Sequence, residues 1–219
     1  MPPLHIHEDI RQATTLPGWF YQRADVFEDV KEKIFAATWQ YAADATDVAQ
    51  PMDVHPFTLL PGILDEPLLF TKDDDSNIHC LSNVCTHRAK IVVEKPGNSR
   101  MLSCGYHGRC FRHDGTFKSM PEFDGVANFP SESDNLPKVP FTEWLGMLFT
   151  SLNPGVDFEE MTRPIRERLG WLPLSTLTYA PQDSQDYYID ANWALYCDNY
   201  LEGFHIPFVH PALNKALDF

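Results

Sequence analysis

Two cysteine–histidine pairs are the residues of this sequence best suited to chemistry. The first is Cys85-Thr86-His87, and the second, after sixteen intervening residues, is Cys104-Gly105-Tyr106-His107. Each pair offers one thiolate and one imidazole, so two facing loops could direct all four side chains to one point. Thiolate and imidazole ligands in this number suit zinc or an iron–sulfur cluster. The spacing is unusual for zinc, because structural zinc sites mostly combine C-x2-C with a second regular pair.

A second group lies near the end of the sequence, where His205 and His210 follow Glu202. Five residues on a regular helix leave two side chains about 140° out of alignment. Pro207 disturbs a helix between the two histidines and could bring both imidazoles to one side. By themselves, two such histidines are more often capping or solvent-facing residues, and Glu202 by itself would be a surface glutamate.

Short apolar runs separated by turn residues predict an all-β region over residues 45–155. The runs cover residues 57–60, 67–71, 78–84, 91–93, 101–104, 109–113 and 147–152. His113-Asp114-Gly115-Thr116 predicts a hairpin turn. The two cysteine–histidine pairs fall within this region, whose loops could face each other.

Four further elements are predicted outside that region. They are an amphipathic helix over residues 25–39, a short charged helix over residues 161–169, a strand over residues 186–193 and a helix from residue 193 to about residue 209. The first rests on the three- and four-residue spacing of Val30, Ile34 and Phe35. The last would carry the second group of candidate ligands.

The composition is that of an ordinary globular chain with an acidic surface. Of the 219 residues, 43% are hydrophobic and 22% charged, and 17 basic against 31 acidic residues give a formal charge of −14. Such a surface repels phosphate, so nucleic acid and anionic membranes are poor partners and a basic protein is a suitable one. No apolar run approaches the roughly 18 to 20 residues of a membrane span, and no signal peptide is recognised. We therefore expect a cytoplasmic protein whose five cysteines are ligands or buried thiols rather than disulfides.

The first motif resembles the Rieske [2Fe-2S] motif, in which two histidines replace two cysteines on one iron. The resemblance implies that Cys85 and Cys104 hold one iron and that His87 and His107 hold the other. It favours the iron–sulfur alternative over zinc.

Together, the two motifs resemble the catalytic α-subunits of Rieske non-haem iron oxygenases, the ring-hydroxylating oxygenase family. That family shows D/E-x2-H-x4-H after a strand containing Asn-Trp, here Asn192-Trp193. The resemblance implies that His205 and His210 are two ligands of a mononuclear Fe(II) site of the 2-His-1-carboxylate type. Glu202 then corresponds to the bridging carboxylate that links a cluster histidine of a neighbouring subunit to an iron histidine, a catalytic role. The family's carboxylate ligand comes from a helix further along the chain, and Asp218 is the only acid after His210 in this sequence.

The same resemblance implies the architecture and the partners. We expect an α+β chain with a helical segment at residues 1–44 that packs on the catalytic domain. An all-β Rieske domain would follow at residues 45–155, and an incomplete, helix-grip-like catalytic domain at residues 156–219. The expected partners are a ferredoxin or flavin reductase, O2, a small organic substrate and further copies of the chain in a trimer.

Two functions agree with these features. The main prediction is a terminal oxygenase component that uses O2 and electrons from a reductase to hydroxylate or demethylate an aromatic ring or a quaternary ammonium compound. The stretch Asp198-Asn199-Tyr200-Leu201-Glu202 is similar to choline- and betaine-type monooxygenases, which favours quaternary ammonium substrates. The alternative is a Rieske ferredoxin-like electron carrier, which needs the β domain but not His205 and His210. We expect the chain by itself to lack oxygenase turnover, because a third iron ligand is not identified.

Overall fold

Ten strands form three antiparallel sheets within residues 4–217, the part of the chain that the computed structural model describes. The strands are β1 (Gln40–Asp44), β2 (Asp53–Leu59), β3 (Glu66–Lys72), β4 (Ile78–Ser82), β5 (Gly97–Asn98), β6 (Leu102–Ser103), β7 (Cys110–Phe111), β8 (Phe117–Ser119), β9 (Phe141–Trp144) and β10 (Met147–Thr150). The sheet orders are β1-β10-β9, β4-β3-β2-β5 and β6-β7-β8. The predicted β-rich region is confirmed, although the apolar runs did not predict β1, β5, β8 or β9, and the run at residues 91–93 contributes only an isolated bridge from Ile91 to Val84.

Strand β3 lies inside the four-stranded sheet and has a core on each face. It pairs with β2 on one side and with β4 on the other. Successive side chains of a strand point to opposite faces, so Leu69 packs in one apolar cluster while Leu68 and Phe70 pack in the other. Burial on both faces explains why this strand is a continuous apolar run rather than an alternating one.

The first of these apolar clusters holds the two candidate ligand cysteines. Cys85 and Cys104 are both 3% exposed and pack with Leu81, Leu102 and Phe111. The larger sheet and the small β6-β7-β8 sheet therefore meet around the cysteines. Burial of this apolar surface contributes to the stability that holds the two cysteine-bearing loops together.

The predicted hairpin turn between β7 and β8 is confirmed. The amide of Arg112 donates to the carbonyl of Thr116 at 2.8 Å, and the amide of Gly115 donates to the carbonyl of Arg112 at 3.0 Å. Gly115 has a φ of +84°, and a Cβ there would lie 2.9 Å from Leu81 Cδ2. Both the backbone conformation and the space therefore require glycine.

The helices are short and lie towards the two ends of the chain. They are α1 (Ala24–Val30), which continues as a π-helical turn over Lys31–Phe35, α2 (Phe158–Leu169), α3 (Trp193–Leu201), α4 (Ile206–Val209) and α5 (Pro211–Asn214). The N-terminal helix and the charged helix are confirmed, with the first ending at Phe35 and the second beginning at Phe158. Asp157 begins α2 by accepting the amides of Glu159 and Glu160 at 2.9 and 3.2 Å, as an N-cap residue does.

Two predictions near the end of the chain are wrong. Residues 186–192 form no strand, and helix α3 begins at Trp193. A strand forms only against a partner, and no described strand pairs with this segment. The helix predicted to residue 209 stops at Leu201, because Glu202 has extended backbone with φ −100° and ψ 145°. Pro207 therefore lies in the first turn of a new helix, α4, where proline is tolerated, rather than bending a long one.

The chain divides into two compact units. One unit comprises Val30–Tyr179 and contains all three sheets, and the other comprises Met1–Asp29 with Ala180–Phe219. Across residues 4–217, we find no helix with both the length and the apolar character that a bilayer crossing requires.

Candidate iron sites

Two loops with the same backbone pattern carry the cysteine–histidine pairs. We call residues 85–90 the first ligand loop and residues 104–109 the second. In both loops the amide of the cysteine donates to the carbonyl of the last loop residue, Lys90 or Arg109, at 2.8 Å. The amide of the residue before that donates back to the cysteine carbonyl, at 3.0 Å in the first loop and 3.1 Å in the second. This second donor is Ala89 in the first loop, with a φ of 53°, and Gly108 in the second loop, with a φ of 71°. Main-chain hydrogen bonds therefore close each loop in the same way.

The two thiols lie side by side beneath the loops. Burial raises the pKa of Cys85, and a hydrogen-bonding contact with the Cys104 thiol raises it further, against the amides of His87 and Arg88, which lower it. Two thiolates at this position need a cation to offset their charge, and a metal that binds them deprotonates them.

The two imidazoles lie side by side closer to the surface. The ring centroids of His87 and His107 are 4.7 Å apart at an interplanar angle of 70°. The ring of Tyr106, which is 60% exposed, lies 3.9 Å from that of His107. Burial lowers the pKa of His87, and the His107 ring and Arg88 lower it further. A low pKa favours the neutral imidazole, which is the form that binds metals.

This arrangement fits a mixed-ligand [2Fe-2S] cluster. Such a cluster takes two thiolates on one iron and two imidazoles on the other, and the chain brings together one thiol pair and one imidazole pair. The donors do not surround a single point, and residues 4–217 contain no group of three or more His, Cys, Asp or Glu side chains arranged for one metal ion.

Sequence reasoning missed three residues that join the two ligand loops. Thr86 Oγ1 donates to the carbonyl of Asp134 at 2.8 Å, and Arg109 Nη2 donates to the same carbonyl at 3.0 Å. Arg109 Nη2 also donates to the Asp134 carboxylate at 2.5 Å. A pairing over 25 residues has no periodic sequence signal. The Ser131-x-x-Asp134 spacing indicates only a local turn.

The second motif is ordered around Glu202. The Glu202 carboxylate contacts His205 Nδ1 at 2.5 Å and accepts the amide of Phe204 at 2.6 Å. The hydrogen bond with His205 is the main cause that lowers the pKa of Glu202. A carboxylate on one imidazole nitrogen orients the ring and leaves Nε2 to bind a metal. The rings of His205 and His210 lie 5.2 Å apart, so the two histidines come together despite the break in the helix.

Contacts within the same unit fix the helix that leads to this motif. Asn192 begins α3 by accepting the amide of Ala194 at 2.9 Å, and its amide group donates to the carbonyl of Tyr21 at 3.0 Å. The Tyr21 hydroxyl donates to Asp198 at 2.6 Å. The N-terminal segment thus holds both ends of α3.

The second motif fits a mononuclear iron site in part. It offers two imidazoles and an orienting carboxylate, while the described residues 4–217 contain no group of three such donors around one ion. Asp218 lies outside the described residues.

The remaining cysteines differ from one another. None of the five cysteines, all within the described residues, forms a disulfide. Burial raises the pKa of Cys80 to about 12, and Cys110 is half-buried. Cys197 is exposed, so the expectation that all three are buried thiols is wrong for Cys197.

Two family models match this chain, one in each of the regions that carry the candidate ligands. A model of the Rieske [2Fe-2S] domain matches residues 38–130, and a model of the ring-hydroxylating alpha subunit catalytic domain matches residues 174–219. The chain contains a Rieske [2Fe-2S] domain that includes both ligand loops. It also contains part of a ring-hydroxylating alpha subunit catalytic domain, and that part includes His205 and His210.

Among curated relatives of this Rieske chain are enzymes named for quaternary ammonium substrates. The carnitine monooxygenase oxygenase subunit of Acinetobacter baumannii is 29% identical over 94% of this chain and 55% of its own length. The chloroplastic choline monooxygenase of Arabidopsis thaliana is 26% identical over 95% of this chain and 51% of its own length. The expected similarity to choline- and betaine-type monooxygenases is confirmed. The chain spans about half the length of these relatives.

Solved structures show the same fold. The quaternary ammonium Rieske monooxygenase CntA, in complex with L-carnitine, superposes with a TM-score of 0.76 at 26% identity, over 94% of this chain and 58% of CntA. A naphthalene 1,2-dioxygenase from Rhodococcus sp. superposes with a TM-score of 0.72 at 23% identity, over 92% of this chain and 47% of the dioxygenase. The latter shows likeness of fold alone.

Proposed function

We propose that the protein containing this chain is the terminal component of a Rieske oxygenase. It uses O2 and electrons from a ferredoxin or flavin reductase to hydroxylate or demethylate a small organic substrate. The observation that carries the proposal is the presence, in one chain, of two matched ligand loops and of a carboxylate-oriented histidine pair. We further propose that the protein is cytoplasmic and assembles as a trimer.

The proposed ligands follow from the two arrangements. Cys85 and Cys104 with His87 and His107 would hold the [2Fe-2S] cluster, and His205 and His210 would hold mononuclear Fe(II). When bound, the cluster supplies one-electron transfer and the iron(II) supplies open positions for O2.

The protein's own residues provide the environment for this chemistry. The thiols are buried in an apolar cluster, while His87 is half-buried and His107 is exposed, where a partner can approach. Glu202 would hold His205 in one tautomer, in which Nδ1–H donates a hydrogen bond to the carboxylate and Nε2 is free to bind the metal. We propose this as the role of the bridging carboxylate, with its second contact to a cluster histidine of a neighbouring copy.

Quaternary ammonium compounds are the substrate class that we favour. The support is the similarity to the carnitine and choline monooxygenases and to CntA, together with the Asp198–Glu202 stretch. The substrate would enter near the histidine pair. Aromatic compounds are the second class.

Cluster binding is tested by reconstitution with iron and sulfide. The protein should become red-brown and, when reduced, should give the low average g value of a mixed-ligand [2Fe-2S] cluster. Cys85→Ser and His107→Ala should abolish the signal, whereas Cys197→Ser, at an exposed thiol, should preserve it. A colourless protein with one zinc ion per chain would contradict the proposal.

Oxygenase function is tested on the full-length protein with a reductase. Carnitine and choline should stimulate O2 uptake and yield stoichiometric oxidised product, with benzoate as the aromatic comparison. His205→Ala and His210→Ala should abolish substrate-dependent uptake and leave the cluster signal intact. If the protein passes electrons from the reductase to an acceptor but no substrate alters O2 uptake, it is an electron carrier of the ferredoxin type.

A further inference from the structure

Asp134 connects the two ligand loops through one carbonyl oxygen. That oxygen accepts a hydrogen bond from Thr86 Oγ1 in the first ligand loop at 2.8 Å. It accepts another hydrogen bond, at 3.0 Å, from Nη2 of Arg109, which is the last residue of the second ligand loop. Because one atom serves both loops, movement of either loop away from Asp134 breaks a contact that fixes their separation.

Asp134 is itself held firmly. Its carboxylate accepts the amide of Ser131 at 2.7 Å and the Ser131 hydroxyl at 2.9 Å. Partial burial acts to raise the pKa of Asp134, but hydrogen bonds from Ser131 and Arg109 outweigh it and lower the pKa below its ordinary value. The residue is therefore a fixed anion at neutral pH.

Arg109 is a buried cation with a closely fitted environment. It is 3% exposed, and its guanidinium carbon lies 5.7, 5.0 and 5.6 Å from the ring centroids of Phe111, Phe117 and Phe129. Its Nε lacks a hydrogen-bond partner among the described residues. A buried charge that loses its partner is strongly destabilising, so Arg109 and Asp134 depend on each other.

We propose that Thr86, Arg109 and Asp134 form a brace that fixes the separation of the two ligand loops and thereby tunes the cluster. Arg109 is a positioning residue: it lies in the second ligand loop and acts through Asp134 on the first ligand loop. Arg109 neutralises the charge of Asp134 near the second ligand loop. Loss of Arg109 leaves an unpaired anion that disfavours the more negative reduced cluster and so lowers the reduction potential. The part of this inference that concerns the cluster rests on the proposed function, whereas the loop geometry does not.

The first test measures backbone hydrogen exchange in the full chain without metal. Arg109→Met removes the charge and both hydrogen bonds to Asp134 while keeping a side chain of similar length. Exchange at the amides of Cys85 and Ala89, in the other loop, should accelerate about tenfold or more, as expected for loss of a charged hydrogen bond. Arg112→Met is the matched control, because Arg112 lies on the same hairpin and is exposed, and its guanidinium donates to Thr116 and Phe117 rather than to Asp134.

The second test measures the reconstituted cluster. Arg109→Met should lower the midpoint potential, shift the electron paramagnetic resonance g values and speed cluster loss to a chelator severalfold. Arg109→Lys should restore the potential in part, since it keeps the charge, but not the slow cluster loss. In the exchange measurement, Thr86→Val, which removes only the hydroxyl donor, should accelerate exchange at the amides of Cys104 and Gly108 in the second ligand loop by a smaller factor.

The outcomes separate the brace from the proposed function. If the amides of residues 85–90 exchange at the same rate in Arg109→Met as in the wild type, and the g values and potential are also unchanged, the proposed brace is wrong. If Arg109→Met does not fold, Thr86→Val decides, and unchanged exchange in the second ligand loop would overturn it. If the wild-type chain takes up no iron–sulfur cluster, the proposed function fails, while the exchange measurement still judges the brace.

Discussion

At the scale of single residues, the carboxylate of Glu202 decides how His205 is presented. Glu202→Gln keeps the size of the side chain but removes the charge that lies 2.5 Å from His205 Nδ1. We expect an unchanged cluster spectrum and about 10- to 100-fold slower product formation by the full-length protein, the usual range for an outer-shell carboxylate. Single-turnover assays measure this, with Glu167→Gln on the exposed side of α2 as the control. A wild-type rate would make Glu202 a surface residue.

Burial also separates the reactivities of two thiols. Burial raises the pKa of Cys80 to about 12, so almost none of it is thiolate at neutral pH, and the thiolate is the nucleophile. Cys197 is exposed. Iodoacetamide should therefore modify Cys197 in the folded chain and Cys80 only after denaturation, as followed by mass spectrometry of the digested protein. Equal modification of both cysteines under native conditions would contradict the placement of Cys80.

At the scale of elements, the β7–β8 turn depends on glycine for two separable reasons. Gly115 and Gly62 both have positive φ, +84° and +79°, but an added Cβ meets Leu81 and Leu136 at Gly115 and nothing within 4 Å at Gly62. Gly62→Ala should cost about 1 kcal/mol through backbone strain, and Gly115→Ala should cost about 1–3 kcal/mol more through overpacking. Urea denaturation measures both variants. Equal losses of stability would mean that the contact at Leu81 relaxes freely.

Local patterns predicted those elements whose cause is local. The hairpin at residues 113–116 and helix α2 depend on turn and cap residues that lie next to one another, and both formed as expected. The wrong strand at residues 186–193 had suitable residues but no partner strand. The break after Leu201 depends on the backbone of Glu202, whose carboxylate accepts the amide two residues later, and helical periodicity does not contain that information.

The candidate site shows the same division. The four proposed cluster ligands stood out in the sequence because each pair is nearly contiguous, and the structure places Cys85 beside Cys104 and His87 beside His107. The pairing of Arg109 with Asp134 could not be predicted, because two opposite charges 25 residues apart give no sequence signal for a buried ion pair.

At the scale of the whole molecule, His113 couples stability to pH. The residue is 5% exposed, and this burial is the main cause that lowers its pKa below 6.5. Hydrogen bonds to the backbone of Ser99 and Met52 and the charges of Asp74 and Asp73 act in the opposite direction and raise the pKa. As pH falls below about 6.5, the unfolded chain binds this proton before the folded chain does. Stability is therefore fully present above that pH and decreases from it down to the lower folded-state pKa.

His113→Gln tests this dependence. The variant should be less stable at neutral pH, because a packed ring is lost, yet its stability should fall less steeply between about pH 6.5 and pH 5, where a histidine titrates. Denaturant unfolding at several pH values measures the slope. His7→Gln, at an exposed residue, is the control and should keep the wild-type slope. A wild-type slope in His113→Gln would assign the dependence to another group.

The shared closure of the two ligand loops bears on how the protein acquires its cofactor. Main-chain hydrogen bonds, rather than the donor side chains, define each loop, so the conformational entropy of ordering them is lost when the chain folds. The loops that carry the donor side chains are then already ordered when the metal binds, so binding has a smaller entropic cost. Small zinc modules, by contrast, fold only with their metal. We therefore expect a domain that folds before it takes up its proposed cluster and that can be refilled after the cluster is lost to oxidation.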